Sequence, residues 1–294
     1  MLVRVRAASV NPADWYGMTG TPYIARTPFG LLKPKSTRLG IDFAGTVEVV
    51  GRAVTPFRAG DEVFGGTSGA FAEYVCVPAD GAVVPKPATV TVAQAAAVSV
   101  AALTALQGLR DKGQLQPGHK VLINGASGGV GTFAVQIAKA LGAEVTGVCS
   151  TRNVELVRSV GADHVIDYTR ADFTRSAQRY DLLLDIAGSR SWSECRRVLT
   201  PQATLVMVGA PKGSRLIGPL SHIVTVRLAA LRSSRKVVNF VAQLNKADLR
   251  VLQELLEAGK VTPVLDRRYE LSEVPEALRY LGEGHAKGKI VITV

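Results

Sequence analysis

The chain has 294 residues and a hydrophobic content of 47%, enough to bury a large core and to form two domains. Its formal charge of +11 favours an anionic partner, but charge alone does not choose among nucleic acid, anionic lipid and a phosphorylated cofactor. The longest apolar runs are too short for a transmembrane helix, and the three cysteines (Cys76, Cys149, Cys195) are too widely spaced for a disulfide framework or a metal knuckle.

The first ninety or so residues are predicted to form short strands separated by glycine and proline turns: LVRVRAAS, FAGTVEVVG, DEVFGG and FAEYVCVP. Charged and apolar residues alternate at the start of the chain, which is typical of a strand and not of a signal peptide. We therefore expect an all-β segment and a cytoplasmic protein. From Thr91 the pattern predicts one long alanine-rich helix, TVAQAAAVSVAALTALQGLRD.

Beyond that helix, strands alternate with helices, in the order VLIN, EVTGVCS, HVIDY, YDLLLDIAG and TLVMVGA for the strands. Such alternation predicts a doubly wound α/β domain with a parallel sheet, because parallel neighbours require crossover connections. The last helix and strand, VPEALRYL and KIVITV, are expected to rejoin the N-terminal domain. The predicted division is 1–95, 96–262 and 263–294.

A glycine-rich turn, GASGGVG, lies between the strand VLIN and an apolar helix. Gly125, Gly128 and Gly131 are three residues apart, and Gly129 adds further backbone freedom. Without Cβ atoms the turn is tight and its N–H groups can approach a pyrophosphate, while a helix that begins near Val130 directs its positive end there. A glycine triplet alone is often only a turn; the flanking strand and helix favour dinucleotide binding.

The end of the next strand predicts which dinucleotide is bound. An NAD site commonly has Asp or Glu there to bind the ribose hydroxyls, whereas this chain has Ser150, Thr151 and Arg152. Two hydroxyls and a cation suit a 2′-phosphate, so we predict NADP(H). The alternative is that Arg152 is a solvated residue at a helix start.

Six motifs along the chain resemble the zinc-free quinone oxidoreductase branch of the medium-chain dehydrogenase/reductase superfamily. They occur in the order of that family: SVNPADW at 9–15, GIDFAGTV at 40–47, GDEVFG at 60–65, GAFAEY at 69–74, NGASGGVG at 124–131 and GKIVI at 288–292. The resemblance implies a GroES-like β-rich catalytic domain, a Rossmann domain that binds NADP(H), and a small-molecule quinone or enone substrate.

Zinc-dependent members of the superfamily have a cysteine and a histidine where this chain has Asn11 and Asp42. The four histidines (His119, His164, His222, His285) show no ligand spacing, so we expect no catalytic or structural zinc. Without a metal to polarise the substrate, hydride transfer favours an acceptor that conjugation already makes electrophilic, such as a quinone or an α,β-unsaturated carbonyl.

The resemblance also implies individual roles in catalysis. Asn11 would lie near the nicotinamide and donate a hydrogen bond to a developing oxyanion, and Tyr16 would donate a proton, with Asp14 and Trp15 near the same cleft. The alternatives are that Asn11 is a turn residue before Pro12 and that Tyr16 is a packed aromatic.

For the cofactor, the resemblance places Thr104 near the nicotinamide and Ser127, Gly128, Gly129 and Val130 along the pyrophosphate. Ser150, Arg152 and Tyr168 would surround the 2′-phosphate. For Tyr168 the alternative is an aromatic side chain that only packs at the end of its strand.

Two features depart from the family. Its members begin with an additional pair of strands. Either the start codon of this chain is assigned too late, or the chain truly starts within LVRVRAAS and exposes a sheet edge. Segment 211–238 contains Lys212, Arg215, Arg227, Arg232, Arg235 and Lys236 and no acidic residue. We interpret it as a helix that packs on the domain or on the second copy of a homodimer. The alternatives are that it contacts an anionic membrane surface or covers the substrate cleft, and nucleic-acid binding is ranked low.

Three functions remain open at this point. The first is NADPH-dependent reduction of quinones or activated C=C bonds. The second is reduction of an enoyl thioester or a 2-alkenal. The third is an interaction protein that binds NADPH but has lost turnover.

Overall fold

The computed structural model describes residues 1–21, 23, 26, 30, 32, 33, 37–209, 220–230 and 233–294. The packing of the described residues divides the chain into two units. The first unit comprises Met1–Gly20, Ala25–Leu103 and Gln243–Val294, and the second comprises chiefly Thr104–Ala242. The sequence-based boundaries of 95 and 262 stay predictions. Two hydrogen bonds attach the segment after Gln243 to the first unit: the Lys246 ammonium donates to the Ala79 carbonyl at 2.8 Å, and the Thr89 hydroxyl donates to the Leu256 carbonyl at 3.1 Å.

The first unit contains a mostly antiparallel sheet, ordered β12-β13-β1-β2-β3-β5, with β4 also paired to β1. Its strands are β1 (Leu2–Ser9), β2 (Asp42–Val49), β3 (Glu62–Gly66), β4 (Tyr74–Cys76), β5 (Val83–Pro85) and the last two of the chain, β12 (Leu265–Glu270) and β13 (Lys289–Thr293). Strand β1 pairs with β2 along one side, and with both β4 and β13 along the other. Strand β1 therefore lies inside this sheet and not at its edge.

A helix, α1 (Pro12–Thr19), interrupts the segment that the sequence pattern predicted to be all β. The Asn11 backbone N–H donates to the Asp14 carboxylate at 2.9 Å, and Pro12 supplies a helical φ at the first position. The sequence Asn-Pro-Ala-Asp carried this N-terminal signal, and the all-β prediction is corrected here.

The alanine-rich segment forms three pieces and not one long helix. Helix α2 covers Val92–Ala96, α3 covers Ser99–Leu106, and a π-helical turn covers Gln107–Lys112. An uninterrupted helix would bond the Val100 N–H to the carbonyl of Ala96. That N–H donates instead to the Asp42 carboxylate at 2.9 Å, so a partner distant in sequence breaks the helix.

The second unit contains a fully parallel sheet, ordered β11-β10-β9-β6-β7-β8. Its strands are β6 (Lys120–Asn124), β7 (Glu144–Cys149), β8 (His164–Asp167), β9 (Tyr180–Asp185), β10 (Leu199–Met207) and β11 (Lys236–Asn239). The strand order reverses beside β6, which is the point where doubly wound sheets bind ligands at the carboxyl ends of their strands. The predicted α/β class, a β-rich domain plus a doubly wound domain with a parallel sheet, is confirmed.

The remaining helices are α4 (Gly129–Ala140), α5 (Val154–Ser159), α6 (Trp192–Cys195) and α7 (Leu220–Ala230) in the second unit, and α8 (Lys246–Glu257) and α9 (Val274–Glu283) in the first. In the part of the chain that the structure describes, none of them is both long and apolar enough to cross a membrane.

The basic segment 211–238 is partly described. Helix α7 buries Val226 and Ala230 in the core of the second unit, while Val224 and Leu228 are exposed. The Arg235 guanidinium donates to the Thr200 and Leu199 carbonyls at 2.9 and 3.0 Å. These contacts agree with a helix packed on its own domain; Lys212, Arg215 and Arg232 lie outside the described residues.

Candidate functional site

The glycine turn follows β6 directly and leads into α4. Gly125 has a φ of 91°, a conformation that side chains rarely adopt, and a Cβ at Gly131 would overlap the carbonyl oxygen of Gly125. At Gly128 a Cβ would meet no atom closer than 3.6 Å. Gly125 and Gly131 therefore shape the turn itself, and Gly128 leaves open space beside it.

The first N–H groups of α4 have no partner within the helix and carry its positive end. Helix α4 begins at Gly129, one residue before the predicted start, with Gly128 as its N-cap residue. Ser127, Gly128, Gly129 and Val130 therefore lie together at the helix start. An anion such as a pyrophosphate fits this arrangement, because the missing Cβ atoms leave room and the N–H groups supply donors.

Ser150 and Arg152 follow the carboxyl end of β7, and Tyr168 follows the carboxyl end of the neighbouring β8. The Tyr168 N–H donates to the Cys149 carbonyl at 3.0 Å, which joins the two strand ends. The Tyr168 side chain is 56% exposed, so it is not packed in a core. The Arg152 guanidinium is exposed and makes no hydrogen bond or ion pair with any residue that the structure describes. The structure thus brings the three predicted 2′-phosphate residues to one edge of the sheet.

Asp167 is a carboxylate at this edge that sequence reasoning did not consider. Its oxygens accept from the Thr151 hydroxyl at 2.5 Å and from the Thr169 hydroxyl at 2.7 Å, and Arg170 lies 3.5 Å away. These donors, Thr151 first, hold the pKa of Asp167 below its ordinary value. The negative charge is therefore compensated locally, and Arg152 keeps its positive charge unpaired.

Two further polar residues that sequence reasoning did not consider, Asn124 and Asp185, join the carboxyl ends of β6 and β9. The Asn124 amide donates to the Asp185 carboxylate at 2.8 Å, and the Gly188 N–H donates to the same oxygen at 2.8 Å. Burial raises the pKa of Asp185, although both hydrogen bonds oppose that shift. This pair fixes the loop after β9 beside the strand that carries the glycine turn.

In the first unit, Asn11 belongs to a buried polar cluster, which we define as Ser9, Asn11, Asp42 and Lys289. The Lys289 ammonium donates to the Asn11 amide oxygen at 2.6 Å and lies 3.3 Å from the Asp42 carboxylate. The Asn11 amide nitrogen donates to Asp42 at 3.0 Å and to the Ser9 carbonyl at 3.4 Å. Exposure is 2% for Asn11, 0% for Asp42 and 4% for Lys289.

Within the cluster, the Asn11 amide nitrogen already donates both of its hydrogens, to Asp42 and to the Ser9 carbonyl. The predicted hydrogen bond from Asn11 to the substrate would therefore have to replace the longer of the two, to Ser9. Sequence reasoning quoted Lys289 within GKIVI but gave it no role. The available signal was a single lysine directly before three apolar residues, Ile290 to Ile292, in a strand.

Asp14 lies next to the cluster and accepts the N–H groups of Asn11, at 2.9 Å, and Gly40, at 3.1 Å. Burial raises the pKa of Asp14 to about 6, and the nearby Asp42 carboxylate adds to the increase. The two N–H donors and Lys289 oppose it. Burial therefore favours the protonated form of Asp14, inside the first unit, relative to an exposed carboxyl group.

The other predicted residues are less constrained. Tyr16 is 36% exposed on α1, and its hydroxyl makes no hydrogen bond with a described residue; its proton-donor role stays a prediction. Trp15 packs on the core of the first unit. Thr104 lies in α3 and is the first residue of the main segment of the second unit. Its approach to a nicotinamide also stays a prediction.

Potential metal ligands are dispersed. Across the described ranges, no three or more His, Cys, Asp or Glu side chains are grouped so that they could hold a metal ion.

Comparison with known proteins gives consistent matches over the whole chain. The model of the alcohol dehydrogenase GroES-like domain matches residues 1–88, and the model described as zinc-binding dehydrogenase matches residues 160–292. The NAD(P)H oxidoreductase RTN4IP1, mitochondrial, of Homo sapiens is 38% identical over 100% of this chain and 81% of its own length.

Two further matches bear on chemistry. The 2-methylene-furan-3-one reductase of Solanum lycopersicum is 32% identical over 99% of this chain and 71% of its own length. The structure of the quinone oxidoreductase from Coxiella burnetii superposes with a TM-score of 0.85 at 30% identity, covering 100% of this chain and 90% of that one.

The two sheets and the glycine turn thus define an oxidoreductase with a GroES-like domain and a Rossmann domain for a nicotinamide cofactor. The chain belongs to the medium-chain dehydrogenase/reductase superfamily, in its quinone oxidoreductase branch.

Proposed function

We propose that this protein is an NADPH-dependent, zinc-independent oxidoreductase that reduces quinones or activated C=C bonds by hydride transfer. The observation that carries the proposal is the edge formed by Ser150, Arg152 and Tyr168, beside a glycine turn that fits a pyrophosphate. Arg152 is an exposed cation with no partner in the described part of the chain, and the carboxylate nearby, Asp167, is compensated by other donors. A 2′-phosphate would supply the missing anion.

NADPH, when bound, supplies the hydride. The chain's own residues hold and orient the dinucleotide: the start of α4 with Ser127 and Gly128 for the pyrophosphate, and Ser150, Arg152 and Tyr168 for the 2′-phosphate. Thr104, Asn11 and Tyr16 keep the roles proposed from the family resemblance. Positioning two reactants is itself a large contribution to rate, so the proposal requires no further acid or base.

The buried polar cluster supports the zinc-independent part of the proposal. Asn11 and Asp42 replace the ligands of zinc-dependent relatives, and the Lys289 ammonium already occupies acceptor atoms on both. A buried cation at that position repels a divalent metal ion. An acceptor that is electrophilic by conjugation then needs no Lewis acid.

A second candidate function is reduction of an enoyl thioester or a 2-alkenal. The match to the 2-methylene-furan-3-one reductase, whose name is that of an activated alkene, favours reduction of a C=C bond over reduction of a quinone, but it does not distinguish an enone from a 2-alkenal or an enoyl thioester. The third candidate, an NADPH-binding interaction protein without turnover, shares the cofactor site and differs only in catalysis.

A steady-state assay of NADPH absorbance with panels of naphthoquinones, enones, 2-alkenals and enoyl thioesters separates these functions. We expect oxidation of NADPH with at least one quinone or enone and slower oxidation of NADH. Binding of NADPH without oxidation on every panel would establish the interaction protein. Stoichiometric zinc in the purified protein would overturn the zinc-independent mechanism.

Two further proposals concern the subcellular location and the oligomeric state of the protein: it is cytoplasmic, and it forms a homodimer. The human relative is named as mitochondrial, so location needs its own measurement. Subcellular fractionation tests the first proposal, and size-exclusion chromatography with light scattering tests the second.

A further inference from the structure

The side chain of Asn153 links the glycine turn to the end of β7. Its amide nitrogen donates to the Ser127 hydroxyl oxygen at 3.0 Å and to the Ser150 hydroxyl oxygen at 3.4 Å. Asn153 is 6% exposed, and its backbone N–H donates to the Ser150 carbonyl at 2.9 Å. One buried amide therefore holds two serines that come from different turns of the second unit.

The direction of these hydrogen bonds determines what the serines can offer a ligand. A hydroxyl has one hydrogen and two acceptor lone pairs. Because each serine oxygen accepts from Asn153, its own hydrogen remains available for another acceptor. Phosphate oxygens are acceptors, so serines held in this way suit an anionic ligand.

The environment of the amide supports this orientation. The Asn153 amide oxygen is buried and has no hydrogen-bond partner among the described residues. If the amide were reversed, the NH2 group with its two hydrogens would occupy that position without an acceptor. Buried N–H groups without a partner are rarer than carbonyl oxygens with unfilled lone pairs, so the observed orientation is the less costly one.

We propose that Asn153 is a positioning residue for the dinucleotide, which sets the Ser127 and Ser150 hydroxyls as hydrogen-bond donors toward its phosphate groups. The inference rests on the proposed function, in which Ser127 serves the pyrophosphate and Ser150 the 2′-phosphate. Asn153 acts through the serines and does not itself contact the dinucleotide. It lies outside the glycine motif, and it couples the two parts of the cofactor site.

Two substitutions at Asn153 test the direction of the hydrogen bonds. Asn153→Ala frees both hydroxyls to turn elsewhere, and we expect NADPH affinity to fall about tenfold and NADH affinity about threefold, because NADH has no 2′-phosphate for Ser150. Asn153→Asp keeps the shape but accepts from both hydroxyls and adds a negative charge, so a loss of about 100-fold in NADPH affinity is expected.

The decisive measurement is the effect of Asn153→Ala in two backgrounds, by fluorescence titration of the full chain with NADPH and NADH. In the wild type we expect the tenfold loss for NADPH. In Ser127→Ala/Ser150→Ala, where the serine hydroxyls are gone, we expect less than a twofold further loss. A residue that only supports the fold would cause the same loss in both backgrounds, and that result would overturn the inference.

Asn239→Asp is the matched control, since it makes the same amide-to-carboxylate change on β11, four strands or about 19 Å from β7 in the same sheet. It should leave NADPH affinity within twofold of the wild type.

If Asn153→Ala does not fold, Asn153→Asp still tests the proposal, because an Asn153→Asp variant with wild-type NADPH affinity would contradict it. A wild-type chain that binds neither NADPH nor NADH refutes the proposed function itself, whereas one that binds both but is insensitive to Asn153 refutes only the inference.

Discussion

Two cations, Lys289 in the first unit and Arg152 in the second, lie in opposite environments. In the first unit, the buried polar cluster satisfies its own members: the Lys289 ammonium has acceptors on Asn11, Asp42 and the Val10 carbonyl. At the carboxyl end of β7 in the second unit, Arg152 is exposed and has no partner among the described residues. A cation that is fully paired inside a core serves the fold, and an unpaired cation at the carboxyl ends of parallel strands is available to a ligand.

Removing the paired cation should have the largest effect on stability. Lys289→Met leaves the Asp42 carboxylate buried without its counter-charge, and we expect the free energy of unfolding to fall by about 3–5 kcal/mol in urea titrations. Lys287→Met, a nearby lysine whose ammonium has no partner in the described residues, should change it by less than about 0.5 kcal/mol. Equal stability of the two variants would mean that the cluster does not support the fold.

Removing the unpaired cation should have little effect on stability and a large effect on binding. For Arg152→Ala we expect a loss of about 10- to 50-fold in NADPH affinity, with NADH affinity changed less than about twofold, because only NADPH carries the 2′-phosphate. Arg158→Ala is the control, since Arg158 is exposed on α5 and pairs with Glu155 at 2.8 Å. Equal losses of affinity for NADPH and NADH would show that Arg152 does not recognise the 2′-phosphate, and the contrast with Lys289 would fail.

Substitutions at two glycines of the same turn distinguish a glycine that shapes the turn from one that leaves space for a ligand. Gly131→Ala places a Cβ against the Gly125 carbonyl, so we expect a loss of about 1–3 kcal/mol in unfolding free energy together with weaker binding. Gly128→Ala meets only ordinary contacts, so its stability should stay within about 0.5 kcal/mol while dinucleotide affinity falls. Thermal unfolding and titration with NADPH on both variants measure this; a destabilised Gly128→Ala would show that the turn, and not the ligand, uses that space.

The smallest effect concerns the pH dependence of Asp14. Its folded pKa of about 6 exceeds the ordinary 3.8, so its contribution to stability is full below 3.8 and is lost as pH rises through 6. Relative to Asp14→Asn, the wild type should therefore lose on the order of 1 kcal/mol of stability between pH 5 and pH 7.5. Urea titrations at both pH values measure this difference, and a constant difference would place Asp14 in a more polar environment than its burial indicates.

What the sequence could predict depends on how local the interactions are. The glycine turn occupies seven consecutive residues between a strand and a helix, so pattern and spacing were sufficient to find it. Helix α1 was equally local, in Asn-Pro-Ala-Asp, and was overlooked because strand patterns dominate on either side. The candidate residues for the 2′-phosphate could be proposed for the same reason, since Ser150 and Arg152 directly follow a strand.

Long-range pairing explains what the sequence could not predict. The broken helix after Thr91 depends on the bond between Val100 and Asp42, 58 residues apart. The role of Lys289 depends on Asn11, 278 residues away. Asn153 is close to Ser150 in sequence, but its bond to Ser127 crosses 26 residues, and no spacing rule connects an asparagine after β7 to a serine before α4.

The place of Lys289 near the end of the chain has a consequence for synthesis. A ribosome adds the segment between Leu103 and Gln243 after Asn11 and Asp42 and before Lys289, which at usual elongation rates takes on the order of 10 s. All six strands of the parallel sheet are complete within that interval. During translation the second unit can therefore fold before the Lys289 ammonium is available to Asp42, and the first unit can complete its buried polar cluster only after Lys289 has been added.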